Sequence, residues 1–168
     1  MSEQPDYFSV FGLSPSFDID LADLEKRYFI AQREFHPDRM VSKSTQARTL
    51  AISRSMLLNS AYETLQSPLR RAQYLLLLQG VKSDAIKPSQ ELLIETMELR
   101  EQLAEAQAAS ELSVLESRTE AGKVNVITQI CQAFQENRYL MAGELAIRLS
   151  YLSKMADEIR VKKKNLPR

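Results

Sequence analysis

The stretch DIDLADLEKRYFIAQREFHPD, residues 18–38, decides how the N-terminal half of this chain folds. Its apolar residues recur at the spacing of one helix face, at Leu21, Leu24, Tyr28, Ala31 and Phe35. Asp20 can cap the amino end of this helix, and Pro37 disfavours helical dihedrals at the residue before it. The pattern therefore predicts an amphipathic helix that ends at about Phe35. The turn His36-Pro37-Asp38 follows, with the only histidine of the chain.

Three more helices are predicted around this segment. The stretch YFSVFGL, residues 7–13, indicates a short apolar helix that ends near Gly12. Ser67-Pro68 is a typical cap and first-turn pair for a helix that stops at Gly80. Between them, a long helix is indicated by apolar positions at Ala47, Leu50, Ala51, Leu58, Ala61, Tyr62 and Leu65. This long helix is expected to pack antiparallel to the one before the turn.

Composition favours an all-α protein without a cofactor. The chain has only four glycines, and 44% of its residues are hydrophobic. Lys plus Arg and Asp plus Glu both number 22, so no net field would attract nucleic acid or an anionic membrane. Cys131 is the only cysteine, which leaves no disulfide and no thiolate metal set and favours a small core residue. No metal, nucleic-acid or membrane partner is expected.

The second half of the chain is predicted to be a three-helix bundle. Residues 79–89 lack an apolar period and contain Gly80 and Pro88, which indicates a linker between domains 1–78 and 90–168. The three helices are expected at 89–109, 111–136 and 139–164. Core positions of the second are Leu112, Leu115, Val124, Ile127, Ile130 and Phe134. Those of the third are Ala142, Leu145, Leu149, Leu152, Ala156 and Ile159.

The first bundle helix has more apolar residues than one buried face needs. At 100° per residue, its core face collects Leu92, Thr96, Leu99, Leu103 and Ala106. A separate face collects Leu93, Ile94 and Met97, beside Glu98 and Glu101. The third helix has a similar row outside its core face, at Ile147, Tyr151 and Met155. An apolar face rimmed by carboxylates is typical of a protein-docking surface, and packing against the N-terminal domain or a crossing helix is the alternative.

The order DYFSVFGL, EFHPDR and NSAYETLQSP resembles a J-domain, and it covers about the first half of the chain. This resemblance implies that the His36-Pro37-Asp38 turn stimulates ATP hydrolysis by a 70-kDa heat-shock chaperone. Asp38 could instead only satisfy backbone donors within the turn. J-domains commonly have a basic run on the helix before the turn, whereas this chain has Phe29 and Ile30 there, which favours a specialised chaperone.

The chain has no Gly/Phe-rich or cysteine-rich region, and it carries ELLIETMELREQL at residues 91–103. In these features nearly the whole chain resembles the HscB-type branch of the J-protein family. The resemblance implies a co-chaperone, not an enzyme, that brings an IscU-like iron-sulfur cluster scaffold to an HscA-like chaperone. The implied chaperone-binding residues are His36, Pro37, Asp38, Tyr28, Lys26, Arg27 and Arg33. The implied scaffold-binding residues are Leu93, Ile94, Met97, Glu98, Glu101 and Tyr151.

Three other functions are open from the sequence. A generic J-protein would deliver many unfolded clients, and a plain helical adaptor would not change chaperone turnover. An enzyme using His36 with Asp38 has no supporting nucleophile motif or glycine-rich phosphate loop. The N-terminal MSEQPDYF has no signal-type run, which favours a cytoplasmic protein. The chain also lacks the N-terminal zinc-binding cysteine segment of the family's vertebrate-type members, so a bacterial form is expected.

Overall fold

The computed structural model describes residues 6–35, 44–82 and 85–166, and all of its regular structure there is helical, as the sequence predicts. The predicted turn His36-Pro37-Asp38 lies outside the described residues. Seven helices are found in the described ranges: α1 Tyr7–Val10, α2 Leu21–Phe35, α3 Thr45–Gln66, α4 Pro68–Leu78, α5 Gln90–Glu105, α6 Ala109–Gln135 and α7 Tyr139–Asn165. None of these helices is long and apolar enough to cross a bilayer. The chain divides into two compact units, Met1–Leu75 and Leu76–Arg168.

The first unit is built on the antiparallel pair of α2 and α3. Asp20 caps α2, because its Oδ1 accepts hydrogen bonds from the backbone of Ala22 at 2.9 Å and of Asp23 at 3.2 Å. Gly12 ends the α1 turn with φ of 63°, a conformation that glycine adopts without strain. Both boundaries confirm the sequence prediction.

The core of the first unit follows the predicted apolar faces except at Leu21 on α2 and Leu50 on α3, which are both exposed. Leu24, Ala51, Leu58, Ala61 and Leu65 are buried, together with Phe8 and Phe17 from outside α2 and α3. Tyr74 on α4 fixes α1, since its hydroxyl accepts from the Tyr7 backbone at 2.9 Å and the two rings stack. The prediction for Leu50 is wrong, because Ala51 takes the inward position and Leu50 is exposed.

In the second unit, α6 and α7 form a long pair and α5 packs on α7. Ser89 caps α5, with its hydroxyl oxygen accepting from the Leu92 backbone at 3.2 Å. One core cluster contains Leu103, Ala106, Leu112, Leu115, Met155 and Ile159. Another contains Leu76, Ala133 and Ala142, with Val81 packed against it. Val81 belongs to the segment 79–89 predicted as a linker, and that division of the chain remains a proposal.

Three predictions for the second unit are wrong. Val124 is 63% exposed, whereas Val126 is 3% exposed and lies in the core. Met155 is not part of an outward row, because it is 3% exposed and packs in the first core cluster. Its flexible thioether side chain can fill the space between helices that a stiffer residue would leave open. Cys131 is only half-buried.

Candidate protein-docking surfaces

The outward face of α5 has an apolar row bordered by carboxylates. Leu93, Ile94 and Met97 are 42%, 50% and 63% exposed, and Glu98 and Glu101 are exposed beside them. We call these five residues the α5 face. Large apolar side chains gathered on one exposed face are the usual mark of an interaction site, because a soluble surface otherwise scatters them singly.

The opposite side of α5 packs against the core of the second unit. Leu92, Thr96 and Leu103 are buried, and Leu99 packs against the first core cluster. The Thr96 hydroxyl is satisfied within the helix, because it donates to the Leu92 carbonyl at 2.7 Å. The α5 face is therefore not needed to close the core of its own unit.

Ion pairs and a lysine hold α5 in place on α7. Arg148 pairs with Glu95 at 2.6 Å, and Arg100 pairs with Glu158 at 3.6 Å. The Lys162 ammonium donates to the Ala104 carbonyl at 2.9 Å, at the helix end where unsatisfied carbonyls favour a cation. These contacts fix the orientation in which α5 presents its outer face.

Tyr151 does not continue an outward row on α7. Its side chain is half-buried, as is that of Ile147, and the next member of the predicted row, Met155, is in the core. Among the predicted scaffold-binding residues, Tyr151 is the one whose side chain is half-buried rather than exposed.

A cavity of about 580 Å³ opens between α5, α6 and α7. Its lining includes Glu98, Gln102, Asn125 and Gln129, with Leu152 from α7. This cavity was not predicted from the sequence, and Gly122 and Leu152 both line it. Glu98, which is part of the α5 face, therefore also lines the cavity.

In the first unit, some of the predicted chaperone-binding residues are exposed, and others make contacts within the fold. Lys26 and Arg33 are exposed on α2. Arg27 instead pairs with Asp23 at 2.7 Å and donates to the Phe11 carbonyl at 2.9 Å, so it joins α2 to the end of α1. His36, Pro37 and Asp38 are the members of this set that lie outside the described residues.

Tyr28 joins α2 to α3. Its ring stacks on Tyr62 with centroids 4.1 Å apart, and its hydroxyl donates to Asn59 Oδ1 at 3.0 Å. The Gln32 amide donates to the same Asn59 oxygen. Burial, and secondly the charge of Glu25, raises the pKa of the Tyr62 phenol. Tyr28 therefore has a structural role in the hairpin whatever else it contacts.

No candidate metal-binding site is found in the part of the chain that the structure describes. No three His, Cys, Asp or Glu side chains come together there in a way that could hold an ion.

Comparison with known proteins agrees with this architecture. A family model described as the HSCB C-terminal oligomerisation domain matches residues 88–160. The iron-sulfur cluster co-chaperone protein HscB of Mus musculus is 35% identical over 161 residues, which cover 94% of this chain and 69% of the mouse protein. The co-chaperone protein HscB homolog of Vibrio cholerae is 31% identical over 91% of this chain and 94% of its own.

Structural similarity extends over almost the whole chain. The crystal structure of human co-chaperone protein HscB matches with a TM-score of 0.91 at 32% identity, covering 97% of this chain and 84% of the human one. This chain therefore belongs to the HscB family of co-chaperones and has the all-helical fold of a J-domain followed by a helical bundle that the sequence predicts.

Proposed function

We propose that this protein stimulates the ATPase of a dedicated, HscA-like 70-kDa chaperone and delivers to it an IscU-like scaffold for iron-sulfur clusters, so that it assists the maturation of iron-sulfur proteins. The observation that carries this proposal is the α5 face, an apolar row on a helix whose opposite side is already filled. The relatives' names, which specify iron-sulfur cluster co-chaperones, support the same role.

In this proposal the scaffold binds to the α5 face. Leu93, Ile94 and Met97 would be the apolar anchors, which lose their water on binding and provide most of the affinity. Glu98 and Glu101 would form the rim and attract basic side chains of the scaffold, and Tyr151 would extend the contact from α7. The cluster itself would stay with the scaffold.

The chaperone would bind the turn after α2. Asp38 would present its carboxylate to a basic group on the chaperone's ATPase domain, where a charge-assisted hydrogen bond is stronger than a neutral one. His36 and Pro37 would set the shape of the turn, and Tyr28, Lys26, Arg27 and Arg33 would support or extend the contact from α2.

The two surfaces would act together because they are in one chain. Residues 1–78 would engage the chaperone and residues 90–168 the scaffold, with 79–89 between them. Holding both partners raises the effective concentration of the scaffold at the chaperone, so capture improves without any new contact. We place this activity in the cytoplasm, with no nucleic-acid or membrane partner and no bond chemistry by the protein itself.

The test is ATP turnover by the dedicated chaperone, titrated with this protein. Wild-type protein should raise turnover severalfold, and Asp38→Asn should not. Binding of labelled scaffold to the same two samples should be equal, because the substitution lies far in sequence from α5. Turnover that does not respond to the wild-type protein would overturn the proposal.

A further inference from the structure

The cavity between α5, α6 and α7 has the size and the lining of a binding site. Its volume of about 580 Å³ lies within the range of roughly 300 to 1,000 Å³ that is usual for ligand pockets. Apolar side chains from all three helices line it, and they are buried or half-buried: Leu99, Val126 and Leu152. Its exposed lining residues are all polar: Glu95, Glu98, Gln102, Arg118, Asn125 and Gln129. Apolar contact combined with a few polar groups is the usual composition of a specific site.

Two side-chain amides on α6 are available to a partner. Asn125 and Gln129 are exposed, and neither side chain has a hydrogen-bond partner among the residues that the structure describes. Each amide has a carbonyl acceptor and an NH₂ donor, the same two kinds of group as a peptide bond. An amide side chain can therefore pair with the backbone of another chain.

The spacing of these two amides matches an extended peptide. Asn125 and Gln129 are four residues apart on α6, and four residues advance a helix by about 6 Å. Two residues advance an extended strand by about 6.6 Å, and every second residue turns its backbone N–H and C=O groups to the same side. A helix offers no such row of groups, because its backbone groups are paired internally except at its ends. The geometry therefore favours an extended segment over a helix as the occupant.

The cavity is continuous with the α5 face through Glu98, which belongs to both. Glu95, the other carboxylate that lines the cavity, is paired with Arg148 at 2.6 Å. Glu98 is therefore the lining carboxylate that can accept a basic side chain from a partner. A protein bound to the α5 face would reach the cavity at this residue.

We propose that the cavity binds an extended peptide segment of the same scaffold that covers the α5 face. This inference rests on the proposed function. The backbone of the segment pairs with Asn125 and Gln129, a basic side chain lies at Glu98, and an apolar side chain contacts the apolar lining. The scaffold is thus held at two adjoining places on the second unit, one by side-chain burial on α5 and one by backbone hydrogen bonds on α6.

The test compares Asn125→Ala/Gln129→Ala with wild-type protein in calorimetric titrations with the scaffold. We expect the dissociation constant to rise about 5- to 30-fold, because two hydrogen-bonding side chains are lost. Helical content should be unchanged, since both side chains are exposed. Thr128→Ala/Gln135→Ala is the matched control, because it removes two exposed polar side chains of α6 that do not line the cavity. It should bind scaffold like wild type.

Hydrogen exchange of the bound scaffold tests the backbone pairing itself. A short segment of the scaffold should have amides that exchange slowly in the complex with wild-type protein, because hydrogen-bonded amides are protected. The same amides should exchange faster in the complex with Asn125→Ala/Gln129→Ala. Amides of the scaffold that are protected by the α5 face should keep their protection.

Three results would overturn the inference. If Asn125→Ala/Gln129→Ala binds scaffold like wild type while Leu93→Ala/Met97→Ala binds weakly, the cavity lies outside the interface and the proposed function stands. If the α6 variant changes only the self-association of this protein, measured by sedimentation, the occupant is a second copy of the chain. If wild-type protein does not bind the scaffold, the proposed function fails and the inference fails with it.

Discussion

At the scale of single residues, Leu92 and Leu93 of α5 have different roles: Leu92 packs in the core, and Leu93 is proposed to contact the scaffold. They are neighbours in the sequence, yet Leu92 is buried and Leu93 is exposed. Leu93→Ala/Met97→Ala should reduce scaffold affinity by at least about tenfold, because interface anchors commonly cost more than about 1 kcal/mol each. The measurement is calorimetric titration with the scaffold.

Leu92→Ala is the control for that variant. It should lower the free energy of unfolding by about 2 to 5 kcal/mol, the usual cost of a cavity left by a buried leucine. Leu93→Ala/Met97→Ala should lower it by far less, since both side chains are already in water. A large loss of stability with unchanged scaffold affinity would show that Leu93 and Met97 belong to the core.

The sequence predicts buried residues well on α5 and less well on α6 and α7. On α5 a single short face sets the phase, and the predicted core residues are buried or half-buried. On α6, Val126 is buried in place of Val124, although Leu112, Leu115 and Ile130 are buried as predicted. Met155 lies one helical turn before Ile159, at the edge of the core face of α7, and its flexible side chain packs in the same core cluster.

At the scale of helices, Gly122 is a weak point in α6. A Cβ atom at this position would lie 3.6 Å from Leu152 Cδ1, which is ordinary van der Waals contact. Gly122→Ala should therefore raise the free energy of unfolding by about 0.5 to 1 kcal/mol, the difference in helix propensity. Thermal unfolding measures this gain.

Gly80→Ala is the opposite case. Gly80 follows α4 with φ of 73°, and a side chain is strained there although no atom stands in its way. Gly80→Ala should therefore lower the melting temperature, whereas Gly122→Ala should raise it. A fall for Gly122→Ala would mean that its Cβ is not accommodated between α6 and α7.

The start of α6 predicts a pH dependence. Glu111 accepts hydrogen bonds from the backbone of Ala108 at 3.0 Å and of Gln107 at 2.8 Å, and these hold the pKa of its carboxyl below its usual value. A lowered folded pKa stabilises the fold above the unfolded pKa, and this contribution is lost as the pH falls through the folded value.

Glu111→Gln should therefore be less stable than wild type at neutral pH, and the gap should close as the pH falls below about 4, the ordinary range of glutamate. Denaturant unfolding at several pH values measures the gap. A gap that stays constant with pH would show that the carboxylate charge does not contribute.

Several helix boundaries were predictable because capping is local, but the carboxyl end of α5, predicted at 109, lies at Glu105. The caps at Asp20, Ser67 and Ser89 and the stops at Gly12 and Gly80 all depend on a few adjacent residues. The cavity between α5, α6 and α7 was not predictable, because it depends on the distances between three helices. A sequence pattern gives the faces of each helix but not those distances.

At the scale of the whole molecule, each of the two compact units is proposed to bind one partner. The α5 face lies in the unit Leu76–Arg168, and α2 lies in the unit Met1–Leu75. Asp38→Asn and Leu93→Ala/Met97→Ala should therefore separate the two activities: the first should bind scaffold normally, and the second should stimulate the chaperone normally when no scaffold is present. Loss of both activities in either variant would contradict independent surfaces.

The most direct test of the central claim is chaperone ATP turnover with scaffold present, measured for wild-type protein and for a mixture of the two variants. If one chain must hold both partners, wild-type protein and scaffold together should exceed the sum of their separate effects. The mixture of Asp38→Asn with Leu93→Ala/Met97→Ala should give no such excess at concentrations below the scaffold dissociation constant, because neither chain can bring the scaffold to the chaperone. An equal excess from the mixture would contradict delivery by a single chain.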